Sequence, residues 1–85
     1  REMVIPNQYG IHARPASMIV KTTQRFDAEV TISKEGNTVS GKSIMGLMML
    51  AAGCGSKVRV SAMGERSDEA LGEIQSLVDR KFDED

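Results

Sequence analysis

Apolar and polar residues alternate in four short segments of this chain. A period of two is typical of β-strands that pack one face against a core and leave the other in solvent. The predicted strands cover 2–5, 28–33, 38–40 and 58–63. The triplet at 35–37, with its central glycine, is a turn signal that joins the second and third strands as a hairpin.

Apolar residues spaced three and four positions apart predict three helices. Pro15 lies in the first turn of the first helix, where its missing N–H is tolerated. Ser43 is predicted to cap the second helix, an almost wholly apolar segment over 44–52 that ends before a glycine. Because a surface helix buries only one side, Leu47 and Leu50 are the expected core residues of this segment.

The third helix is predicted to begin at Ser67, a favourable N-cap, and to carry Arg80 and Lys81 in its last turn. We expect Phe82 to pack at the edge of the core and residues 83–85 to fray. The apolar face of this helix consists of Ala70, Leu71, Ile74, Leu77 and Val78.

The resulting element order is β-α-β-β-α-β-α. A four-stranded sheet and three amphipathic helices bury their apolar sides most simply as a two-layer α/β sandwich. A chain of 85 residues is too short for a second core, so we expect one domain over 1–85.

The composition excludes several classes of function. A net charge of −1 and the absence of tryptophan argue against nucleic-acid binding. Cys54 is the single cysteine, so the chain offers neither a disulfide nor a cysteine-based metal site. We therefore expect no metal or other cofactor. No apolar run is long enough to span a membrane, and we expect a cytoplasmic protein.

His12 is the only histidine and lies just before the first predicted helix. Imidazole is a nucleophile near neutral pH, and the amides at a helix N-terminus favour an anion. Arg14 is two residues away and can bind phosphate oxygens, and Ser17 adds a hydroxyl. The alternative is that His12 is a polar residue of the loop and Arg14 is a solvated charge.

Two segments resemble the signatures of one known family. The segment GIHARPAS at 10–17 resembles the active-site signature of HPr, the histidine-containing phosphocarriers of the bacterial phosphotransferase system. The segment GKSIMGLMML at 41–50 resembles the serine-site signature of the same family. Chain length, element order and the separation of the two segments also fit, so the resemblance covers essentially the whole chain.

The resemblance implies an α+β open-faced β-sandwich, with an antiparallel sheet of order 1-4-2-3 and three helices on one face. It implies that His12 accepts a phosphoryl group on Nδ1 from enzyme I and passes it to a sugar-specific IIA domain. Arg14 matches the arginine beside the phosphohistidine. Such a carrier turns over no substrate unaided, and we expect a monomer that is not an enzyme.

The resemblance also implies a second, regulatory site. Ser43 matches the serine that HPr kinase/phosphorylase phosphorylates in some members. A phosphate there adds a charge of roughly −2 beside the docking surface and repels an acidic partner. The structural alternative is that Ser43 only caps its helix.

An exposed apolar surface is predicted on the second helix. Ile44, Met45 and Met48 lie away from its expected core side, and an exposed apolar surface of this kind indicates a binding site. Methionine adapts to several partners because its side chain is flexible and polarizable. We expect these three residues to bind partner proteins, although a methionine-rich helix is more often part of a core.

Two alternatives to a sugar-branch carrier remain open. The segment at 47–52 departs from the best-known sugar-branch members, which allows a carrier of the nitrogen-related or purely regulatory branch. The other alternative is an interaction module in which the apolar surface binds a partner and His12 does no chemistry.

Overall fold

The computed structural model describes residues 1–84 and contains the predicted element order. The elements are β1 (Glu2–Val4), α1 (Ala13–Thr23), β2 (Glu29–Lys34), β3 (Asn37–Ser40), α2 (Ile44–Met49), β4 (Lys57–Met63) and α3 (Ser67–Asp79). A short 3-10 turn over Lys81–Asp83 follows the third helix.

The four strands form one antiparallel sheet in the order β1-β4-β2-β3. The two long strands lie in the middle, with Ile32 of β2 opposite Val60 of β4. On the outer edge, Met3 of β1 lies opposite Val58 of β4. The sheet order 1-4-2-3 implied by the resemblance is therefore confirmed.

One face of the sheet and the inner sides of the helices form a single core. Each large apolar side chain that is fully buried contributes about 1.5–3 kcal/mol relative to exposure. The expected core residues Leu47 and Leu50 are 0% and 6% exposed. Core residues of the other elements include Ala16, Ile19, Val30, Ile32, Val58, Val60, Ala70, Ile74, Leu77 and Val78. Within residues 1–84, no helix combines the length and apolar character needed to cross a membrane.

The second helix is shorter than predicted, because α2 ends at Met49 and not at Ala52. Leu50 closes the helix with hydrogen bonds to the last carbonyls, and Ala51 then takes a left-handed conformation with φ of 55°. A left-handed residue at a helix end is commonly glycine, so an alanine there gives no signal in the sequence.

The predicted cap of the third helix is wrong. Ser67 is the first residue of α3, and the N-cap is Arg66, which has φ of 61° and makes no side-chain capping bond. The Arg66 guanidinium instead lies 4.7 Å from the centre of the Phe26 ring and forms an ion pair with Glu69. These contacts hold Arg66 at the turn into the helix.

The predicted end of the chain also needs correction. The third helix ends at Asp79, so Arg80 is its C-cap and Lys81 lies beyond it. Phe82 is 0% exposed and belongs to the core itself, not to its edge. Asp83 and Glu84 form a defined turn and are not frayed. Asp85, expected to fray with them, lies outside the described residues.

Candidate functional site

His12 is the N-cap residue of α1, as its place before the helix predicted. Its backbone is extended, with φ of −92° and ψ of −165°, and its side chain makes no capping hydrogen bond. The side chain is 40% exposed, so an incoming group can reach the imidazole from solvent. The ring of Tyr9 meets it edge to face, with 6.1 Å between the ring centres.

The start of α1 presents backbone amides beside this ring. The first α-helical hydrogen bond runs from the Ala16 amide to the His12 carbonyl at 3.0 Å. Pro15 has no N–H, so the amides of Ala13 and Arg14 lie outside the repeating hydrogen-bond pattern of the helix. Amides at this position favour a bound anion.

Arg14 and His12 lie on one shallow cleft of about 610 Å³. We call it the His12 cleft, and its lining residues are Gln8, Tyr9, His12, Arg14, Asp83 and Glu84. The Arg14 side chain is exposed and projects from the first turn of α1. Ser17, the third residue predicted for this site, is half-buried and does not line the cleft.

Glu84 is a site residue that sequence reasoning missed. Its Oε2 lies 2.8 Å from His12 Nε2, and its Oε1 accepts a hydrogen bond of 2.9 Å from Asn7 Nδ2. The bond from Asn7, and after it the contacts with His12 and the charge of Arg14, lower the pKa of Glu84, although partial burial opposes them. The carboxylate is therefore charged near neutral pH.

The loop before His12 is fastened to the segment that follows α2. The Ile11 amide donates to the Ala52 carbonyl at 2.9 Å. Gly10 has φ of +66°, and a Cβ atom there would overlap the Ala52 carbonyl oxygen and lie 2.6 Å from Gly53 Cα. Only glycine allows this close approach, which positions the imidazole relative to α2.

Ser43 caps α2, as predicted. Its Oγ accepts a hydrogen bond of 3.0 Å from the Gly46 amide, and the residue is half-buried. A hydroxyl in this position stabilises a helix by about 1 kcal/mol relative to alanine.

The outer side of α2 carries the exposed apolar surface that the sequence predicted. Ile44, Met45 and Met48 are 43%, 72% and 45% exposed, and the structure adds Met49 at 77%. These four residues line a groove of about 520 Å³, and we call them the methionine patch. Met49 was not among the residues predicted for this surface.

Comparisons with known proteins agree with this geometry. The sequence profile of the family described as "PTS HPr component phosphorylation site" matches residues 1–80. Phosphocarrier protein HPr of Treponema pallidum is 42% identical over 79 residues, which cover 93% of this chain and 90% of that protein. Phosphocarrier protein NPr of Shewanella violacea is 40% identical over 84 residues, covering 99% of this chain and 92% of that protein.

Solved structures show the same fold. The crystal structure of HPr-C-His from Thermoanaerobacter tengcongensis aligns with a TM-score of 0.96 and 36% identity, covering 100% of this chain and 96% of that chain. A Bacillus anthracis HPr aligns with a TM-score of 0.87 and 38% identity, covering 92% and 93% of the two chains. This chain therefore belongs to the HPr family of phosphotransferase-system proteins, which are phosphocarriers and not enzymes.

Proposed function

We propose that His12 accepts a phosphoryl group on Nδ1 from enzyme I and passes it to a sugar-specific IIA domain. The observation that carries this proposal is the place of the imidazole, which is half exposed at the start of α1 and lines the same cleft as Arg14. Phosphoryl transfer needs chiefly positioning and charge stabilisation. The helix amides and Arg14 are suited to the phosphate oxygens. No cofactor or metal takes part.

Incubation with enzyme I and phosphoenolpyruvate tests this proposal. We expect one acid-labile phosphate, which mass spectrometry of the intact and digested protein assigns to His12. His12→Ala is expected to abolish the label while circular dichroism shows an unchanged fold. A wild-type protein that takes no phosphate, or takes it elsewhere, contradicts the proposal and favours the interaction module.

A nitrogen-related acceptor is the second candidate. It is supported by the 40% identity to a relative from Shewanella violacea that is named NPr. Transfer from the phosphorylated protein to sugar-type and nitrogen-type IIA domains, measured in parallel, separates the two branches. Faster transfer to the nitrogen-type domain would replace the sugar-branch assignment.

We propose that the methionine patch binds the partner proteins. Four exposed apolar side chains lie together on one short helix. Single exposed apolar residues are common on protein surfaces, but a contiguous apolar surface indicates a binding site. Met45→Lys is expected to raise the KM for enzyme I by about tenfold, because a charge then enters an apolar interface. Met63→Lys is the matched control, since Met63 is 74% exposed but lies on β4 outside the patch.

We propose that phosphorylation of Ser43 inhibits transfer to His12. Ser43 directly precedes the patch, so a phosphate there would place about two negative charges beside the docking surface. Ser43→Asp keeps a capping side chain and adds charge, whereas Ser43→Ala removes the cap alone. We expect only Ser43→Asp to slow phosphorylation by enzyme I. Equal rates for Ser43→Asp and wild type would remove the regulatory role but not the cap.

We propose that the chain acts as a single domain and a monomer in the cytoplasm. Solved relatives include an HPr dimer from Thermoanaerobacter tengcongensis and a domain-swapped dimer of Crh from Bacillus subtilis. Sedimentation at several protein concentrations distinguishes these states. A concentration-independent mass near 9.2 kDa is expected, and a stable mass of twice that value would contradict the monomer.

A further inference from the structure

Glu84 contacts the reactive ring, and the relay described above assigns it no role. We propose that Glu84 is a positioning residue, which holds the His12 ring with its proton on Nε2 and so leaves Nδ1 as the nucleophile. The inference rests on the proposed function for its effect on transfer, but its geometric part stands on the unphosphorylated protein alone.

The first argument is the chemistry of the short contact. An ionised carboxylate has no proton to donate, so in the 2.8 Å contact His12 Nε2 must be the donor and Glu84 Oε2 the acceptor. In a neutral imidazole the other ring nitrogen, Nδ1, then keeps its lone pair. The lowered pKa of Glu84 agrees with this assignment, because the hydrogen bonds that lower it favour the charged carboxylate.

The second argument is that the carboxylate is itself held. Asn7 is 0% exposed, and its Nδ2 donates to the Gly10 carbonyl at 2.7 Å and to Glu84 Oε1 at 2.9 Å. Both partners are acceptors, so the amide nitrogen must face them. A buried side chain thus connects the loop before His12 to the carboxylate at its ring. The Glu84 side chain is only 14% exposed, although it lines a solvent-facing cleft.

The third argument is the backbone conformation of the turn that directly precedes Glu84. Lys81, Phe82 and Asp83 have φ of 56°, 54° and 57°, three consecutive left-handed residues without a glycine. Each such residue is unfavourable, and conformations of this kind persist where the surrounding structure enforces them, often at functional sites. Here the fully buried Phe82 ring holds the turn in the core. The turn precedes Glu84, whose side chain contacts a ring 72 positions away in sequence.

Transfer to Nδ1 needs no proton to leave this site. The Nδ1 lone pair forms the bond to phosphorus while the bond from phosphorus to the donor's leaving atom breaks, and that atom keeps the electron pair. The proton on Nε2 stays in place. The imidazole ring thereby becomes cationic, and the Glu84 carboxylate at Nε2 stabilises this positive charge. The same contact therefore selects the nucleophile and supports the product.

The geometric part is tested on the unphosphorylated protein by NMR of His12 labelled with ¹⁵N in the ring. In the wild type we expect an Nε2-bound proton that exchanges slowly with water and an unprotonated Nδ1. Glu84→Ala and Glu84→Asp are expected to lose the slow exchange, because an aspartate is one methylene too short. Glu65→Gln, which removes a charge at an exposed turn, is the control and should match the wild type. A proton on Nδ1 in the wild type, or the same slow exchange in Glu84→Ala, would overturn the inference.

The kinetic part uses the enzyme I assay. Loss of a charge-assisted hydrogen bond that strengthens in the transition state is expected to lower the maximal rate of phosphorylation by at least about tenfold. The KM for enzyme I should stay unchanged in Glu84→Ala, since the cleft is not part of the methionine patch. If the wild type takes phosphate and Glu84→Ala does so at the same rate, the inference about Glu84 fails while the proposed function stands. If the wild type takes none, the proposed function fails while the NMR result still decides the geometry.

Discussion

At the scale of single residues, the cleft that contains His12 is lined by groups of opposite charge. The Glu84 carboxylate binds Nε2, and the Arg14 guanidinium lines the same cleft. A phosphoryl group carries negative charge on its oxygens, whereas an imidazole phosphorylated on one nitrogen and protonated on the other is positively charged. In the proposed transfer to His12, this arrangement would supply a cation for the phosphate oxygens and an anion for the ring.

Arg14→Ala is expected to slow phosphorylation of His12 by about ten- to a hundredfold, the loss of one or two charge-assisted hydrogen bonds to phosphate. Because Arg14 is exposed, the free energy of unfolding of the Arg14→Ala protein should differ from that of the wild type by no more than about 0.5 kcal/mol. The phosphorylation rate of Arg14→Lys should lie between those of the wild type and Arg14→Ala, since an ammonium keeps the charge but lacks the forked geometry of a guanidinium. Lys21→Ala, an exposed cation later on the same helix, is the control. The enzyme I assay and urea unfolding measure both effects, and a wild-type rate in Arg14→Ala contradicts the role.

Glu84 also predicts a pH dependence of stability. Its pKa in the folded protein lies below the ordinary value of 4.5, so the carboxylate's contribution is fully present above that pH and is lost as the pH falls through the folded pKa. Urea midpoints of wild type and Glu84→Gln should differ most above pH 4.5 and converge in more acidic solution. Taking the difference between the two proteins cancels the contributions of other groups to the pH dependence, such as that of Glu69, whose pKa is also lowered. A constant difference across this range would contradict the expectation.

His12 and Arg14 could be predicted as candidate site residues from the sequence, because both lie in one short segment that opens a helix, and the structure brings them to one cleft. Glu84 gives no such signal. It is 72 positions from His12, and the turn that returns it depends on three left-handed residues, none of them glycine, ahead of it. Lys81 and Phe82 do not favour a left-handed conformation, which aspartate tolerates better, and the burial of Phe82 in the finished core helps to hold the turn.

At the scale of elements, the contact between the His12 loop and the segment that follows α2 fixes the position of the site relative to that helix. Gly10 passes so close to Ala52 and Gly53 that the two segments touch through their backbones. The Ile11 amide adds a direct hydrogen bond to this contact. Backbone contacts of this kind do not depend on side-chain rotamers, so the loop has little freedom to shift.

Gly10→Ala is expected to destabilise the fold by about 2–5 kcal/mol, combining a left-handed alanine with steric overlap at Ala52. Gly36→Ala is a matched control, because Gly36 also has positive φ, +85°, but has open space around its Cβ position. The control should lose only about 1 kcal/mol. Thermal and urea unfolding measure both, and similar losses in the two variants would show that the close approach contributes nothing.

Element boundaries were harder to predict than the elements themselves. Alternation and helical spacing located all four strands and all three helices, because each has one face in the core. The end of α2 was missed because the left-handed residue is Ala51, and the start of α3 because Arg66 replaces a conventional cap. Both exceptions are stabilised by tertiary contacts or by neighbouring hydrogen bonds, which a local pattern does not record.

At the scale of the whole molecule, Phe82 connects the end of the chain to the core. It is among the largest fully buried side chains, and it belongs to the same cluster as residues of the sheet and of all three helices. A domain of this size has only about 5–15 kcal/mol of net stability, so one such residue is a large fraction of the total.

Phe82→Ala is expected to cost about 3–5 kcal/mol and to lower Tm by about 10 °C or more. Because Phe82 also holds the turn before Glu84, the slowly exchanging Nε2 proton of His12 should be lost in the same variant. Met63→Ala, at an exposed site on β4, should change stability by less than about 0.5 kcal/mol. Calorimetry gives Tm for each protein, and a loss below about 1 kcal/mol in Phe82→Ala would contradict this account of the core.

The contact between the His12 loop and the segment that follows α2 has a consequence for the proposed binding of different partners. The contact of Gly10 with Ala52 fixes the position of the His12 loop relative to the helix that carries the flexible methionine patch. Partners with unlike surfaces can each mould the methionine side chains to their own shape. If the methionine patch binds the partners as proposed, each of them meets the imidazole at the same distance and angle, so differences between partners do not change the geometry of transfer.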